Sequence, residues 1–119
     1  MKINENIKNF RVFRGITQSE LAAHLNKSKG AISNWERGDN MPNLDEVERL
    51  CQIFNVTPNQ IFGWEPVPEY DDYVEKQRVR MAKIQELKDQ QEKLQKDLAA
   101  LNLEIAEERK KLLEEMEVD

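Results

Sequence analysis

The stretch Thr17-Gln18-Ser19-Glu20-Leu21-Ala22-Ala23-His24-Leu25-Asn26-Lys27-Ser28-Lys29-Gly30-Ala31-Ile32-Ser33-Asn34-Trp35-Glu36-Arg37-Gly38 decides how the front of this chain folds. It holds two helix starts with almost nothing between them. Thr17 and Glu20 stand three apart, the spacing of a capping box, in which each side chain takes the other's free backbone N–H. Leu21, Ala22 and Leu25 follow at helical spacing. Ser28 is a good N-cap for a second helix that carries Ile32 and Trp35 and stops at Gly38. Only Asn26 and Lys27 separate the two, and a link that short sets helices at a steep angle. Ala22 is small where the helices cross, and Asn26 can take the left-handed backbone conformation a sharp turn needs.

Similar punctuation runs outward from this pair. Upstream, Ile3, Ile7 and Phe10 share one face of a helix from about Ile3 to Arg14, with Gly15 as its stop. Downstream, Asn43-Leu44-Asp45-Glu46 is another capping box. It opens a helix with Val47, Leu50, Cys51 and Phe54 at i, i+3, i+4 and i+7, ending near Asn55. Thr57-Pro58-Asn59-Gln60 opens a last short helix with Pro at its first position, followed by Ile61, Phe62 and Gly63. No stretch alternates with period two, so no sheet is expected. On these faces Trp35 and Cys51 read as core, the latter with a redox switch as the alternative, and His24 reads as a surface residue.

The composition changes at Trp64-Glu65-Pro66-Val67-Pro68-Glu69. Two prolines two apart favour an extended linker over residues 64–69. Beyond Pro68 there is no Gly or Pro, and residues 70–119 carry one uninterrupted helical pattern from about Tyr70 to Val118. Ile84, Leu87, Gln91, Leu94, Leu98, Leu101, Ile105, Glu108 and Leu112 are spaced alternately three and four. That is a heptad seam with Ile84, Gln91, Leu98, Ile105 and Leu112 at a. A lone amphipathic helix of this kind needs a partner to cover its leucines. The partner is a second copy, or a different protein recruited by the coil. A parallel pair sets Gln91 against Gln91 and Glu104 against Arg109, but also Glu108 against Glu108. An antiparallel register sets Leu94 against Leu98 and Glu108 against Ile84. A parallel pair keeps both linkers at one end, whereas an antiparallel pair sends them to opposite ends of a rod of about 70 Å. Asp71-Asp72 fits the first turn of the helix, where acids complement its dipole.

Charge and composition narrow the function. The net charge of −5 argues at first against a nucleic-acid partner. Residues 1–65, however, hold eight Lys/Arg and eight Asp/Glu, whereas residues 66–119 hold ten and fifteen, so the acidity belongs to the tail. A neutral front half can bind DNA if its basic residues share a face. With 34% charged residues and a mean hydropathy of −0.81, no apolar run approaches the roughly 18 residues of a membrane span. Lone Cys51 fits a reducing cytoplasm, and one His with one Cys cannot build a zinc site. No nucleophile–base pair, metal cluster or phosphate loop is visible, so neither an enzyme nor a cofactor is expected.

TQSELA at 17–22, ISNWERG at 32–38 and Met41-Pro42 together resemble the Cro/repressor, or XRE-type, helix-turn-helix family over about residues 3–63. The resemblance implies a five-helix all-α domain whose third helix enters the major groove of double-stranded DNA. It implies that Lys29, Gly30, Ser33 and Asn34 face the bases and that Gln18 touches phosphate while supporting the third helix. It also implies that Arg11 and Glu36 form a buried ion pair. The residue chemistry agrees: Lys29 can donate to guanine O6 or N7, and Asn34 can make a paired amide contact to adenine. Thr17, Gln18 and Ser28, at two helix starts, suit phosphate oxygens, with Lys27 and Arg37 supplying charge. Taken singly, Lys29 and Asn34 also read as ordinary solvated helix residues.

The expectation is therefore an all-α chain: residues 1–63 a five-helix domain, 64–69 a linker, 70–119 a coiled-coil helix. Its expected function is that of a cytoplasmic transcriptional regulator, a repressor of phage or mobile-element type. It would dimerise through Ile84, Leu87, Gln91, Leu94, Leu98, Leu101, Ile105 and Leu112. The alternative is an interaction adaptor whose coil recruits a protein partner and whose domain binds DNA weakly or not at all.

Overall fold

Ile3, Ile7 and Phe10 fall at i, i+4 and i+7 and are all buried, which fixes the inner face of α1 (Ile3–Phe13). The computed structural model describes residues 3–117; Met1, Lys2, Val118 and Asp119, and with them the expected end of the long helix at Val118, lie outside. Among the described residues every regular element is helical: α1, α2 (Gln18–Leu25), α3 (Lys29–Arg37), α4 (Leu44–Phe54), α5 (Pro58–Ile61) and α6 (Pro68–Met116).

Local chemistry sets the ends of these helices. Asn43 and Glu46 form a complete capping box at α4, as do Thr57 and Gln60 at α5, where Pro58 opens the helix. The box expected at α2 is only half made. Thr17 Oγ1 accepts from the Glu20 N–H at 3.1 Å, but the Glu20 carboxylate takes the Thr17 hydroxyl at 3.2 Å instead of the backbone N–H. At their C-termini α2 and α4 stop on Asn26 (φ 53°) and Asn55 (φ 55°), two non-glycine residues in the left-handed region. Gly38 ends α3 at φ 82°, and a Cβ there would lie 3.3 Å from the Asn4 side chain, so both conformation and space call for glycine.

The chain divides into two units, residues 1–75 and 76–119. In the first, Ile3, Ile7, Leu21, Ile32, Leu50, Phe54 and Ile61 are fully buried, with Phe10, Leu25, Trp35 and Cys51 beside them. Each such aliphatic side chain contributes about 1.5–3 kcal/mol through burial. Burial and the nearby Glu48 push the Cys51 thiol above its ordinary value of 9.0, so it is a neutral core group at physiological pH.

This core extends past the expected boundary at residue 63. Trp64 stacks on Phe62 with ring centres 4.9 Å apart, and Val67 is buried. Helix α6 then begins at Pro68, inside the stretch read as a linker. Proline lacks only an N–H that the first turn would leave unpaired, so at a helix start it is no breaker. Tyr70 meets Phe10 edge-on at 5.3 Å and Phe13 at 5.6 Å, and Tyr73 lies 5.0 Å from Phe13. The first two turns of α6 therefore belong to the domain core.

In the second unit the rest of α6 buries none of its described residues. Ile84, Leu87, Leu94, Leu98, Leu101, Ile105 and Leu112 are between 47% and 67% exposed. Flanking charges pair along the helix, including Lys96 with Glu92 at 3.3 Å and Lys111 with Glu108 at 3.2 Å.

Candidate nucleic-acid interface

The α2–α3 turn is built from three residues: Asn26, which caps α2, Lys27, and Ser28, which caps α3. The Lys27 N–H donates to Ala22 O at 2.9 Å, closing the turn over Asn26. Ala22 is almost fully buried, which lets the helices approach closely. Beneath the turn an ion pair ties α1 to α3. Arg11 Nε donates to both Glu36 oxygens, at 3.0 and 3.1 Å, and its Nη2 donates to Oε1 at 2.8 Å, a bidentate geometry. Arg11 Nη1 donates to Ile16 O at 2.9 Å, and Gln18 Nε2 donates to Glu36 Oε2 at 3.2 Å. The Glu36 side chain is 4% exposed and that of Arg11 11%, so the network sits under the surface. Gln18, at the first position of α2, is thereby locked to the start of one helix and the end of the next.

Helix α3 has two faces. Ile32 and Trp35 are buried, whereas Lys29, Gly30, Ser33, Asn34 and Arg37 share the opposite, solvent-facing side at steps of one, three, one and three. The expected base-facing set is thus gathered on one strip. Gly30 has open space where a Cβ would stand, with only Ser28 Oγ at 3.8 Å.

The expected phosphate set is also at the surface, but its members are engaged. Ser28 Oγ caps α3 by accepting from Ala31 at 3.1 Å, which leaves its hydroxyl hydrogen available to donate. The Thr17 hydroxyl is committed to Glu20. Lys27 Nζ lies 2.9 Å from Glu46 Oε2. Burial alone would push the Glu46 carboxyl up, but the Asn43 backbone N–H, Lys27 and Arg49 outweigh it and hold it below its ordinary value of 4.5. Arg37 makes three contacts: Nε to Asp39 Oδ2 at 3.0 Å, Nη1 to Ser33 Oγ at 2.6 Å, and Nη2 to Asn34 Oδ1. Arg49 donates to His24 O and fastens α4 to the end of α2.

Sequence reading missed Asp39, Glu46 and Arg49 as partners of this surface. Glu46 was assigned only as a cap, and nothing in the spacing of Lys27 and Glu46, nineteen residues apart, signals their pairing. Asp39, two residues beyond Arg37, was the legible one. Among the described residues no group of His, Cys, Asp and Glu could hold a metal, and no helix is long and apolar enough to cross a membrane.

Two helices at a tight turn, the second anchored by one face and presenting a polar strip on the other, define a helix-turn-helix nucleic-acid-binding domain. Residues 7–61 match the family model described as Helix-turn-helix. The chain is 34% identical over 65 residues to the HTH-type transcriptional activator BcrR of Enterococcus faecalis, covering 55% of this chain and 32% of that protein. It is 30% identical over 90 residues to the HTH-type transcriptional regulator ImmR of Bacillus subtilis, covering 76% and 71%. With the antitoxin PezA of Streptococcus pneumoniae it shares 32% identity over 73 residues, covering 58% and 46%. The chain belongs to the Cro/repressor-type helix-turn-helix family. It spans about a third of the activator's length and under half of the antitoxin's.

Proposed function

We propose that this chain is a transcriptional regulator that binds double-stranded DNA sequence-specifically as a dimer and represses by occupying its site. In this reading α3 lies in the major groove, where Lys29, Gly30, Ser33 and Asn34 meet base edges. Thr17, Gln18, Lys27, Ser28 and Arg37 meet the backbone, and residues 84–112 join two copies. The observation that carries it is the two-faced α3: a helix held by Ile32, Trp35 and the Glu36 network, with Lys29, Gly30 and Arg37 exposed and Ser33 and Asn34 half-buried on the opposite strip. Relatives named as a transcriptional activator and a transcriptional regulator support a role in transcription regulation. Dimerisation is supported by seven large aliphatic side chains about half or more exposed in one seam, more than a lone helix leaves uncovered.

The parallel arrangement fits best. Gln91 then pairs with its own copy, Glu104 faces Arg109, and the Glu108 carboxylate already has Lys111 at 3.2 Å to offset its repulsion of Glu108 on the partner. The test is selection of bound duplexes from random DNA by the full chain, followed by a salt titration on the selected site and on mixed DNA. The expected result is an enriched site of two related half-sites, bound about a thousandfold or more tighter than mixed DNA. Equal affinity for both would refute specific regulation, and repression is read separately from a reporter carrying the selected site.

A further inference from the structure

We infer that Arg37 is a positioning residue for base readout: it commits Asn34 to donate, so that the base at this position is guanine or thymine and not adenine. The inference rests on the proposed function and goes beyond it by fixing the hydrogen-bond polarity of the reading strip.

The argument starts from the guanidinium. It carries five N–H donors and no acceptor. Whatever atom of the Asn34 amide faces Arg37 must therefore be its oxygen, and the choice between O and N at that side chain is decided by chemistry. By the same reasoning Ser33 Oγ accepts from Arg37 Nη1 at 2.6 Å, and its own hydrogen turns elsewhere. Asp39, at 3.0 Å from Nε, holds the guanidinium from its far side and fixes its plane. Ser33 Oγ and Asn34 Oδ1 each already accept from Arg37, so the strip is rich in outward donors: the Lys29 ammonium, the Ser33 hydroxyl hydrogen and the Asn34 amide NH2.

Base edges in the major groove sort by polarity. Guanine shows two acceptors, N7 and O6, and thymine shows O4. Cytosine shows the N4 donor, and adenine shows its N6 donor beside N7. The familiar amide contact to adenine needs Oδ1 and Nδ2 side by side on the base, the oxygen accepting from N6. Oδ1 keeps a second lone pair, but its bond to the charged Arg37 fixes the amide's orientation and competes with adenine N6, which leaves Nδ2 as the stronger contact to the base. A donor-rich strip favours guanine or thymine and sets the adenine N6 hydrogens against other donors. Arg37 sets this preference without touching a base.

The test compares sites selected from random duplexes by the full chain with those selected by Asn34→Ala, Arg37→Ala and Arg37→Lys. The base read by Asn34 is the position whose preference disappears in Asn34→Ala. In the parent that position is expected to be guanine or thymine, favoured over adenine by about tenfold or more. In Arg37→Ala, the released amide should shift that one position toward adenine and leave the others unchanged. Arg37→Lys, which still donates to Oδ1, should restore the parent preference. Because Arg37 is exposed, all variants should melt close to the parent temperature. Adenine at that position in the parent overturns the inference. So does an Arg37→Ala variant that binds every site more weakly with an unchanged consensus, the signature of a plain phosphate contact. If the parent enriches no site, the proposed function itself fails, and this inference with it.

Discussion

Replacing Glu36 with alanine strips the Arg11 guanidinium of every side-chain partner it has. Three of the four Arg11 hydrogen bonds end on that carboxylate, and only the bond to Ile16 O survives. Gln18 loses its acceptor as well. A guanidinium 11% exposed cannot rehydrate without opening the α1–α3 contact, and breaking a buried pair in this way costs about 3–5 kcal/mol. A unit of 75 residues has roughly 4–11 kcal/mol in total at about 0.05–0.15 kcal/mol per residue, so this one change removes about a quarter of it or more. The assay is urea unfolding followed by Trp35 emission in a Trp64→Phe background, since Trp35 is buried and Trp64 is exposed. The double variant Arg11→Met with Glu36→Leu is the control: with both charges gone no desolvated ion remains, and most of the loss should return. A Glu36→Ala loss below about 1 kcal/mol, the range of surface ion pairs, would refute the argument that this pair is structural.

Five further outcomes rest on particular residues. A chain ending at Lys76 keeps Val67, Tyr70 and Tyr73; it should melt cooperatively as a monomer and bind a half-site weakly by gel shift, having lost its second tethered contact. A chain ending at Glu65 should be less stable still by about 2–4 kcal/mol, from one buried valine and the tyrosine–phenylalanine contacts; equal melting of the two truncations would show that the base of α6 contributes nothing. Gly30→Ala has room for its methyl and should leave the fold as stable or up to about 1 kcal/mol more stable, yet weaken DNA binding; undiminished affinity would place Gly30 away from the bases. Burial, Tyr73 and Asp71 push the Tyr70 hydroxyl above its ordinary value of 10.0, so its contribution is complete below pH 10 and is lost as pH rises through the raised value; Tyr70→Phe should flatten that alkaline fall in melting temperature, and an unchanged fall would refute the assignment. Gln91→Cys should cross-link two chains rapidly under mild oxidation, and a protein shown to be dimeric that gives no cross-link would exclude the parallel coil.

The domain was legible in sequence wherever structure is specified within four residues. Asn43 with Glu46, Thr57 with Gln60, and the left-handed Asn26 all declare themselves by type and spacing, and the helices begin and end there. Misreadings arose where one residue type permits two outcomes. Pro68 interrupts a helix interior but suits a helix start, and the difference depends on Val67 and Tyr70 finding the core, which no local pattern shows. Glu20 could accept from either the N–H or the hydroxyl of Thr17, both within reach, and it took the hydroxyl. The Arg11–Glu36 pair, 25 residues apart, came from family resemblance and not from spacing. The pairings of Lys27 with Glu46 and of Tyr73 with Phe13 had neither source.

Those long-range pairings bear on the zero charge of residues 1–65, which the sequence could count but not arrange. Lys27 and Arg37 each stand against a carboxylate, Glu46 at 2.9 Å and Asp39 at 3.0 Å. In the proposed complex these acids hold the places that phosphates would take. Contact with DNA is then an exchange of partners and not the first pairing of a bare cation, so it gains less than a count of lysines and arginines suggests. Counterion release scales with the number of phosphates neutralised, and two cations already balanced by Glu46 and Asp39 draw less sequence-independent affinity from it. Discrimination must come instead from groups with no acid beside them to displace: the Lys29 ammonium, the Asn34 amide, the Ser33 hydroxyl and the open backbone at Gly30. Under the proposed function such a surface should bind mixed DNA weakly and depend on the match at its bases, which the salt titration on mixed DNA reads.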